Sequence, residues 1–467
     1  MKAAFLLLAF VAMADDWGQF RGLNGSGVAD GTGYPVDFSP TKNVVWKAAI
    51  PYGQSSPVIA GGRLYLTASE PGVLLTIALD AKTGKQLWRR HIQRDRFAPI
   101  YKANDPASPS PVADADGVVV FFPDFGLAAY TRDGKDRWTL PLGPFQNFYG
   151  MAGSPIVEGD QVILVCDQNA KSFVIAVDRK TGKQRWKTER PGIPLGWASP
   201  MVFRPSQQGP AQLIVLGSTR VDAYYVATGE QRWWMPIASN GSQGVPVAQG
   251  DNLFFVMSGT GEPWMPTFES TLANLDKDRD RQISPAELSA MKDVADQFGA
   301  FDENGDRFID ANEWNLARNM TIGEAGVFAL HGAGKLEGKL NPKSAATWRF
   351  KKNVPYIPAP LLYGEVLYMV RDGGIITALN ASNGQVLKQG RNKDALGEYY
   401  ASPVAADGKL YLANGDGKVT VLKAGGAWEV LATNDLAEEV RGTPALSAGR
   451  VFVRTRGAMY CFGSRSR

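Results

Sequence analysis

The sequence predicts an all-β fold, a ring of eight four-stranded blades with a small α-helical insertion in the fifth blade. Three observations predict it. A Thr-Gly unit ending in Trp recurs along the chain, a proline opens an apolar stretch at regular intervals, and one interval is more than twice as long as the others. Self-similarity of this period is the mark of stacked supersecondary units.

The clearest unit is Ala78-Leu-Asp80-Ala-Lys-Thr83-Gly84-Lys-Gln-Leu-Trp88, which returns as Ala176-Val-Asp178-Arg-Lys-Thr181-Gly182-Lys-Gln-Arg-Trp186. Weaker copies are Ala128…Gly134…Trp138, Ala223…Thr228-Gly229…Trp233, and Ala378…Asn383-Gly384, where Lys388 replaces Trp. Pro57, Pro111, Pro155, Pro200, Pro246, Pro360, Pro403 and Pro444 are separated by 54, 44, 45, 46, 114, 43 and 41 residues. In the first unit the pattern predicts strands over 56–60, 63–68, 74–80 and 86–90, with the Thr-Gly turn supplying the positive φ of a tight hairpin. A four-stranded sheet this small cannot bury both faces alone, so neighbours must stack, and eight set radially close a propeller. Trp46, within 43–50, precedes the first unit, while the last unit, 443–463, lacks a fourth strand. Pairing these ends closes the ring and removes two exposed edges.

These units resemble the pyrroloquinoline-quinone (PQQ) repeat propeller family over roughly 43–463, the insertion apart. The resemblance implies that each outer-strand Trp packs on the Gly-containing turn of the adjacent blade, which assigns Trp88, Trp138, Trp186, Trp233, Trp348 and Trp428 to packing. Trp17-Gly-Gln-Phe20-Arg21-Gly22 is similar to the opening of exported bacterial members. Two functions are implied within the group. One is the protein-binding scaffold of the BamB-like outer-membrane assembly propellers. The other is a PQQ-dependent dehydrogenase oxidising an alcohol or sugar; such enzymes carry adjacent, disulfide-bonded cysteines over the cofactor. Cys166 and Cys461 are not adjacent, so PQQ is not the favoured cofactor.

The long interval holds two acidic loops. One places Asp276, Asp278, Asp280, Gln282, Ser284 and Glu287 at loop positions 1, 3, 5, 7, 9 and 12; the other places Asp302, Asn304, Asp306, Phe308, Asp310 and Glu313 there. This is the EF-hand spacing, and it suits Ca²⁺, which takes six to eight hard oxygens: alternate side chains turn inward, position 7 offers its carbonyl, and the final Glu offers two oxygens. Ile283 and Ile309 at position 8 are expected to bridge the loops. Position 6, usually Gly because it needs positive φ, is Arg281 and Arg307, which predicts weakened affinity. One helix of about fourteen residues, Leu288–Phe301, is expected between the loops. The pair spans 262–320 and falls between the second and third strands of blade five, on the face of the blade-to-blade connections. Those connections carry Tyr52, Tyr101, Phe145, Phe148, Tyr149, Trp197, Tyr356, Tyr399 and Tyr400, with Arg96, Lys102, Glu398 and Arg441 among them.

Composition sets the remaining bounds. The chain has 467 residues, 44% of them apolar, enough for a full core. Fifty Lys and Arg against 46 Asp and Glu leave +4, too little for a nucleic-acid binder held by phosphate contacts. Two cysteines, each in an apolar run, are expected to be free and packed. His91 and His331 are the only histidines, which removes most His-based acid/base and metal constellations. Residues 1–14 read as a cleaved export signal, basic then apolar then Ala-x-Ala, and 15–42 as an N-terminal extension. No later stretch is apolar enough to span a membrane, and no cysteine near the cleavage site can carry a lipid. The expectation is an exported, periplasmic or secreted, monomeric calcium-binding scaffold that takes a protein or small-molecule ligand on its loop face without catalysis, with the dehydrogenase as alternative.

Overall fold

The computed structural model describes residues 16–463 except 148, 170, 207–208, 238, 240–242, 260–261, 264, 296–297, 303 and 323–325. The expected leader, 1–14, and Phe148 lie outside the described residues. Eight antiparallel sheets stand radially. Blade one comprises Val58–Ala60, Arg63–Glu70, Val73–Asp80 and Gln86–Gln93, in that order from the channel outward. Blades two to seven open with Val112–Asp114, Ile156–Glu158, Met201–Phe203, Val247–Gln249, Leu361–Tyr363 and Val404–Ala406, and blade eight with Ala445–Ser447. Each of these first strands begins immediately after one of the repeated prolines. That strand is the sheet edge facing the channel, where a residue without an N–H costs no ladder bond.

The ring closes as expected. Val44–Ala49 pairs antiparallel with Ala458–Phe462 as the outer strand of blade eight, with Trp46 opposite Cys461. Cys461 and Cys166 are free and buried, and burial pushes the Cys461 thiol up to about 12.

The repeated unit has a visible physical purpose. In blade one Asp80 Oδ1 accepts the amides of Lys82 and Thr83 at 3.1 and 2.8 Å and the Thr83 hydroxyl at 2.7 Å, which folds the turn. Asp178 and Thr181 repeat it in blade three. The preceding blade's Trp then seats on the turn. The indole N–H of Trp46, Trp88, Trp138 and Trp348 donates to the carbonyl of Ala81, Arg132, Arg179 and Ala381 at 3.1, 2.8, 2.9 and 3.0 Å. At Gly182 φ is 71°, and a Cβ would lie 2.6 Å from the Trp138 ring. Gly182→Ala is therefore expected to destabilise by about 2–4 kcal/mol, combining left-handed strain with displacement of the indole; urea denaturation would measure it.

Two tryptophans dock differently. Trp428 stands in the turn of blade seven, not in an outer strand, and receives Lys388, whose Nζ donates to the Trp428 carbonyl at 2.6 Å and lies 4.3 Å from its ring centroid. Lysine and tryptophan have exchanged sides across that interface. Trp233 is fully buried and bonds Gln212 Oε1 at 3.0 Å. Blade five offers it no Thr-Gly turn; instead Gly338–Lys339 adds a parallel fifth strand beside Trp233 and Trp234.

The insertion lies between Asn252–Met257 and Gly326–His331 of blade five. Helices Phe268–Leu275 and Ala311–Ile322 flank it, and Phe268, Leu288, Val294, Phe301 and Trp314 form a core of its own. The single helix expected over 288–301 is instead interrupted at 289–291: Pro285–Leu288 ends there, and helix resumes in Lys292–Ala295, with Phe298–Phe301 also helical. Leu288, Met291, Val294 and Phe301 all pack into the core of the insertion.

The N-terminal extension crosses the channel on the free edges of the first strands. Trp17 bridges Ile59, Gly18 accepts the Ala113 amide at 2.7 Å, Asn24 bonds Val202 in both directions, and Val28 bridges Ala405. No described helix is long and apolar enough to cross a membrane.

Candidate functional site

A cavity of about 380 Å³ opens where the blade-to-blade connections converge. Its floor is Phe20 of the extension together with Ser56, Ser110, Ser154, Ser199, Ser402 and Thr443, each the residue just before a repeated proline. These six form a relay that sequence reading missed. The amides of Ser56, Ser110 and Ser154 donate to the hydroxyls of Ser110, Ser154 and Ser199 at 3.0, 2.9 and 2.9 Å. Beyond blade five, Ala359, Ser402 and Thr443 donate likewise to Ser402, Thr443 and Ser56 at 3.0, 2.9 and 2.8 Å. The gap falls where Val245 and Ala359 precede the prolines of blades five and six. Their signal in the sequence is a repeated Ser-Pro or Thr-Pro pair.

The walls are aromatic. Tyr101, Tyr149 and Trp197 stand edge-to-face in series, with centroids 5.4 and 5.6 Å apart. The Trp197 indole donates to Asn147 Oδ1 at 3.1 Å and to the Gly150 carbonyl at 2.9 Å, which fixes the series. Tyr356, Tyr399 and Tyr400 form the facing wall. Burial raises the Tyr356 phenol above its ordinary value, and Tyr149 across the mouth adds to the rise. Arg441 lies 3.8 Å from the Tyr400 ring centroid and bonds Glu439 at 2.6 Å, while Tyr400 donates to Glu398. Of the expected loop-face residues, Tyr101, Tyr149, Trp197, Tyr356, Tyr399, Tyr400, Glu398 and Arg441 line the cavity. Phe145 is instead buried against Phe121, Arg96 is spent on the carbonyls of Gly143 and Phe125, and Tyr52 and Lys102 stand outside the lining.

The acidic loops are brought together by the expected bridge, Ile283 to Ile309, with both amides donating at 3.0 Å. In the first loop carboxylate oxygens of Asp276, Asp278 and Glu287 lie within 4.8 Å of one another, a donor set that fits a hard divalent cation. Glu287 accepts the amides of Lys277 and Ser284 at 2.8 and 2.9 Å, and these bonds, Ser284 first, hold its carboxyl below the usual range. Asp280 Oδ1 accepts the Gln282 amide at 2.7 Å. In the second loop Asp302 accepts Gly305, Asp306 and Arg307 amides at 2.7, 3.1 and 3.0 Å. Asn304 and Asp306 accept the amides of Asp306 and Phe308, and Glu313 accepts those of Asn304 and Asp310. Position 6 does take the left-handed conformation, with φ 66° at Arg281 and 72° at Arg307, because its amide must face the position-1 carboxylate. The last helix of the insertion reaches the cavity wall, where Met320 packs on Leu195 and Trp197.

The residues present do not fit a metal-bound quinone tricarboxylate in this cavity. Among the described residues the lining supplies Asp372 and Glu398 against Arg441, which Glu439 already holds, and the one cluster of carboxylates close enough together to share a metal ion lies in the insertion.

A family profile described as outer membrane protein assembly factor BamB matches residues 28–199, 146–265 and 269–466. The outer membrane protein assembly factor BamB of Burkholderia pseudomallei is 28% identical over 210 residues, 44% of this chain; the match spans about half, 49%, of that relative's length. The crystal structure of BamB from Moraxella catarrhalis overlays with a TM-score of 0.56 at 12% identity, over 90% of this chain and 99% of its own, a likeness of fold.

Proposed function

We propose a function from the premise that the chain belongs to the family described as outer membrane protein assembly factor BamB. It is an exported scaffold, periplasmic or secreted, that docks a segment of a partner protein in the mouth of the propeller. The observation that carries this is the cavity itself: two facing aromatic walls over a floor of hydroxyls, open at the loop face. Exposed Tyr101, Tyr149 and Tyr356, held in place by the buried Trp197 and its neighbours, supply contact area at low ordering cost, and the hydroxyls orient a polar backbone. The inserted pair binds Ca²⁺ through Asp276, Asp278, Asp280, the Gln282 carbonyl, Ser284 and Glu287, and through Asp302, Asn304, Asp306, the Phe308 carbonyl, Asp310 and Glu313. Supporting this are the convergent carboxylates and the bridged loops. Calcium then stiffens the helix that packs on Trp197, so the ion supports one wall of the docking site.

A photo-crosslinking residue placed at Tyr356, which is 47% exposed at the mouth, tests the scaffold in the native cell envelope. Repeatable capture of one partner is expected, reduced about tenfold or more by Trp197→Ala, since buried aromatic anchors dominate such interfaces. Capture indifferent to Trp197, or no repeatable partner, would overturn the reading.

A further inference from the structure

The tyrosines of the mouth already hold cations of the chain's own. Arg441 lies 3.8 Å from the Tyr400 ring centroid, and Lys102 lies 5.9 Å from that of Tyr101. Just outside the lining, Arg456 stands 5.0 Å from the Tyr52 centroid. A ring face attracts a cation through its quadrupole, and more strongly once water is excluded. Tyr101, Tyr149 and Tyr356 keep exposed ring surface in the cavity lining.

The lining also carries two carboxylates, and backbone bonds fix where they stand. Asp372 lies at the tip of the blade-six hairpin, between Val366–Arg371 and Ile375–Asn380. Its Oδ1 accepts the Tyr399 amide at 2.7 Å, and the Gly373 amide donates to the Gly397 carbonyl at 3.2 Å, which pins the tip to the segment carrying Glu398. The Glu398 carbonyl accepts the Gly415 amide at 2.7 Å, and its carboxylate accepts the Tyr400 hydroxyl. Both residues are exposed and line the cavity, and among the described residues neither pairs with a basic side chain. Arg441 is the only basic residue of the described lining, and Glu439 holds it. In a ring of eight blades, the connection with Glu398 and Tyr400, between blades six and seven, stands opposite the one with Tyr149, between blades two and three. A group in the cavity therefore meets rings on one side and carboxylates on the other.

We propose that the mouth cavity is a cation site that takes an ammonium or guanidinium group, carried on a docked lysine or arginine side chain or free in solution. This rests on the reading of the cavity as the docking site and names the chemistry of what docks there. The rings cover the apolar stem and the face of the charged group, as Tyr400 does for Arg441, while Asp372 and Glu398 supply the counter-charge. The same two carboxylates disfavour an acidic segment.

The test uses the full chain and ligand-observed saturation-transfer NMR. The probes are tetramethylammonium chloride and the blocked tripeptide acetyl-Ala-Lys-Ala-amide, each against sodium chloride at equal ionic strength. Saturable binding is expected, and Asp372→Asn and Tyr356→Leu should each weaken it about fivefold or more. Both positions are exposed, so neither variant opens the core, and Asn at 372 keeps an acceptor for the Tyr399 amide. Binding of the tripeptide alone identifies a docked side chain; binding of tetramethylammonium as well identifies a site that also takes a free cation; both support the proposal. No saturable binding of either probe, equal binding of the norleucine counterpart of the tripeptide, or unchanged affinity in both variants overturns it. Partner capture at Tyr356 that depends on Trp197 but not on Asp372 would leave the docking reading standing and remove this one.

Discussion

Arg190→Met is expected to destabilise the fold by about 3–5 kcal/mol, the cost of breaking a buried ion pair by removing one partner. Arg190 is fully buried after the outer strand of blade three and joins residues from two blades. Its Nε and Nη2 bond Asp167 at 2.7 and 3.1 Å, and its Nη1 bonds Asp222 at 2.8 Å and the Tyr224 hydroxyl at 2.7 Å. Asp222 keeps Arg220 and Gln231 at 2.8 and 2.7 Å, so Asp167 is the carboxylate left alone. Burial pushes the Asp167 carboxyl upward, and Arg190 opposes that push. Without Arg190 the folded-state pKa rises further above the unfolded one. The ionised form then weighs against folding at neutral pH, and stability returns as pH falls and Asp167 takes up a proton in the folded state. The deficit between variant and wild type should thus be smaller at pH 5 than at pH 7 in urea denaturation. Arg190→Met with Asp167→Leu should recover much of the loss, since replacing a whole buried pair by apolar groups is near neutral. An equal deficit at both pH values, or no rescue, would show that the pair contributes only packing. The clamp also positions the site, because Asp167 packs against Gly196, beside Trp197 of the cavity wall.

What was legible in the sequence was whatever repeats or is local. Blade number follows from eight prolines, ring closure from an unmatched Trp46 facing an unfinished last unit, and the interblade contact from Asp80, Thr83, Gly84 and their copies. The paired loops follow from spacing within twelve residues. The Asp167–Arg190–Asp222 clamp was not legible, because its members share no motif and meet only once two blades are side by side. Nor was the path of the extension: Trp17, Asn24 and Val28 each bond the first strand of a different blade, at irregular spacing, which leaves no periodicity. The hydroxyl floor lay between these cases, its serines repeating with the prolines but acquiring meaning only when the ring sets each beside the next. The single helix over 288–301 was inferred from the length between the loops alone, and length does not reveal the turn at 289–291.

The second large effect concerns the insertion. Calorimetric titration with calcium is expected to show binding in the wild type and none in Glu287→Gln with Glu313→Gln, because each substitution removes the bidentate group that closes a seven-oxygen shell. The wild type should gain thermal stability with calcium, by about 2.7 kcal/mol for each loop at a hundredfold excess over its Kd, and the double variant should gain nothing. A titration indifferent to both glutamates would remove the EF-hand reading. The arginines sharpen the test. Arg281 and Arg307 hold left-handed backbone that glycine adopts freely, and each brings positive charge to its loop. Arg281→Gly and Arg307→Gly should therefore tighten binding, roughly fivefold each for about 1 kcal/mol of strain relieved. The first loop carries two such residues, Arg279 at φ 67° and Arg281, whereas the second has Gly305 at the position matching Arg279. Strain is lower in the second loop, and its Asp302 and Glu313 are buried against the ring side of the insertion. The second loop should fill first, and its filling should quench or shift Trp197 fluorescence through Met320, while filling of the first should leave that signal unchanged.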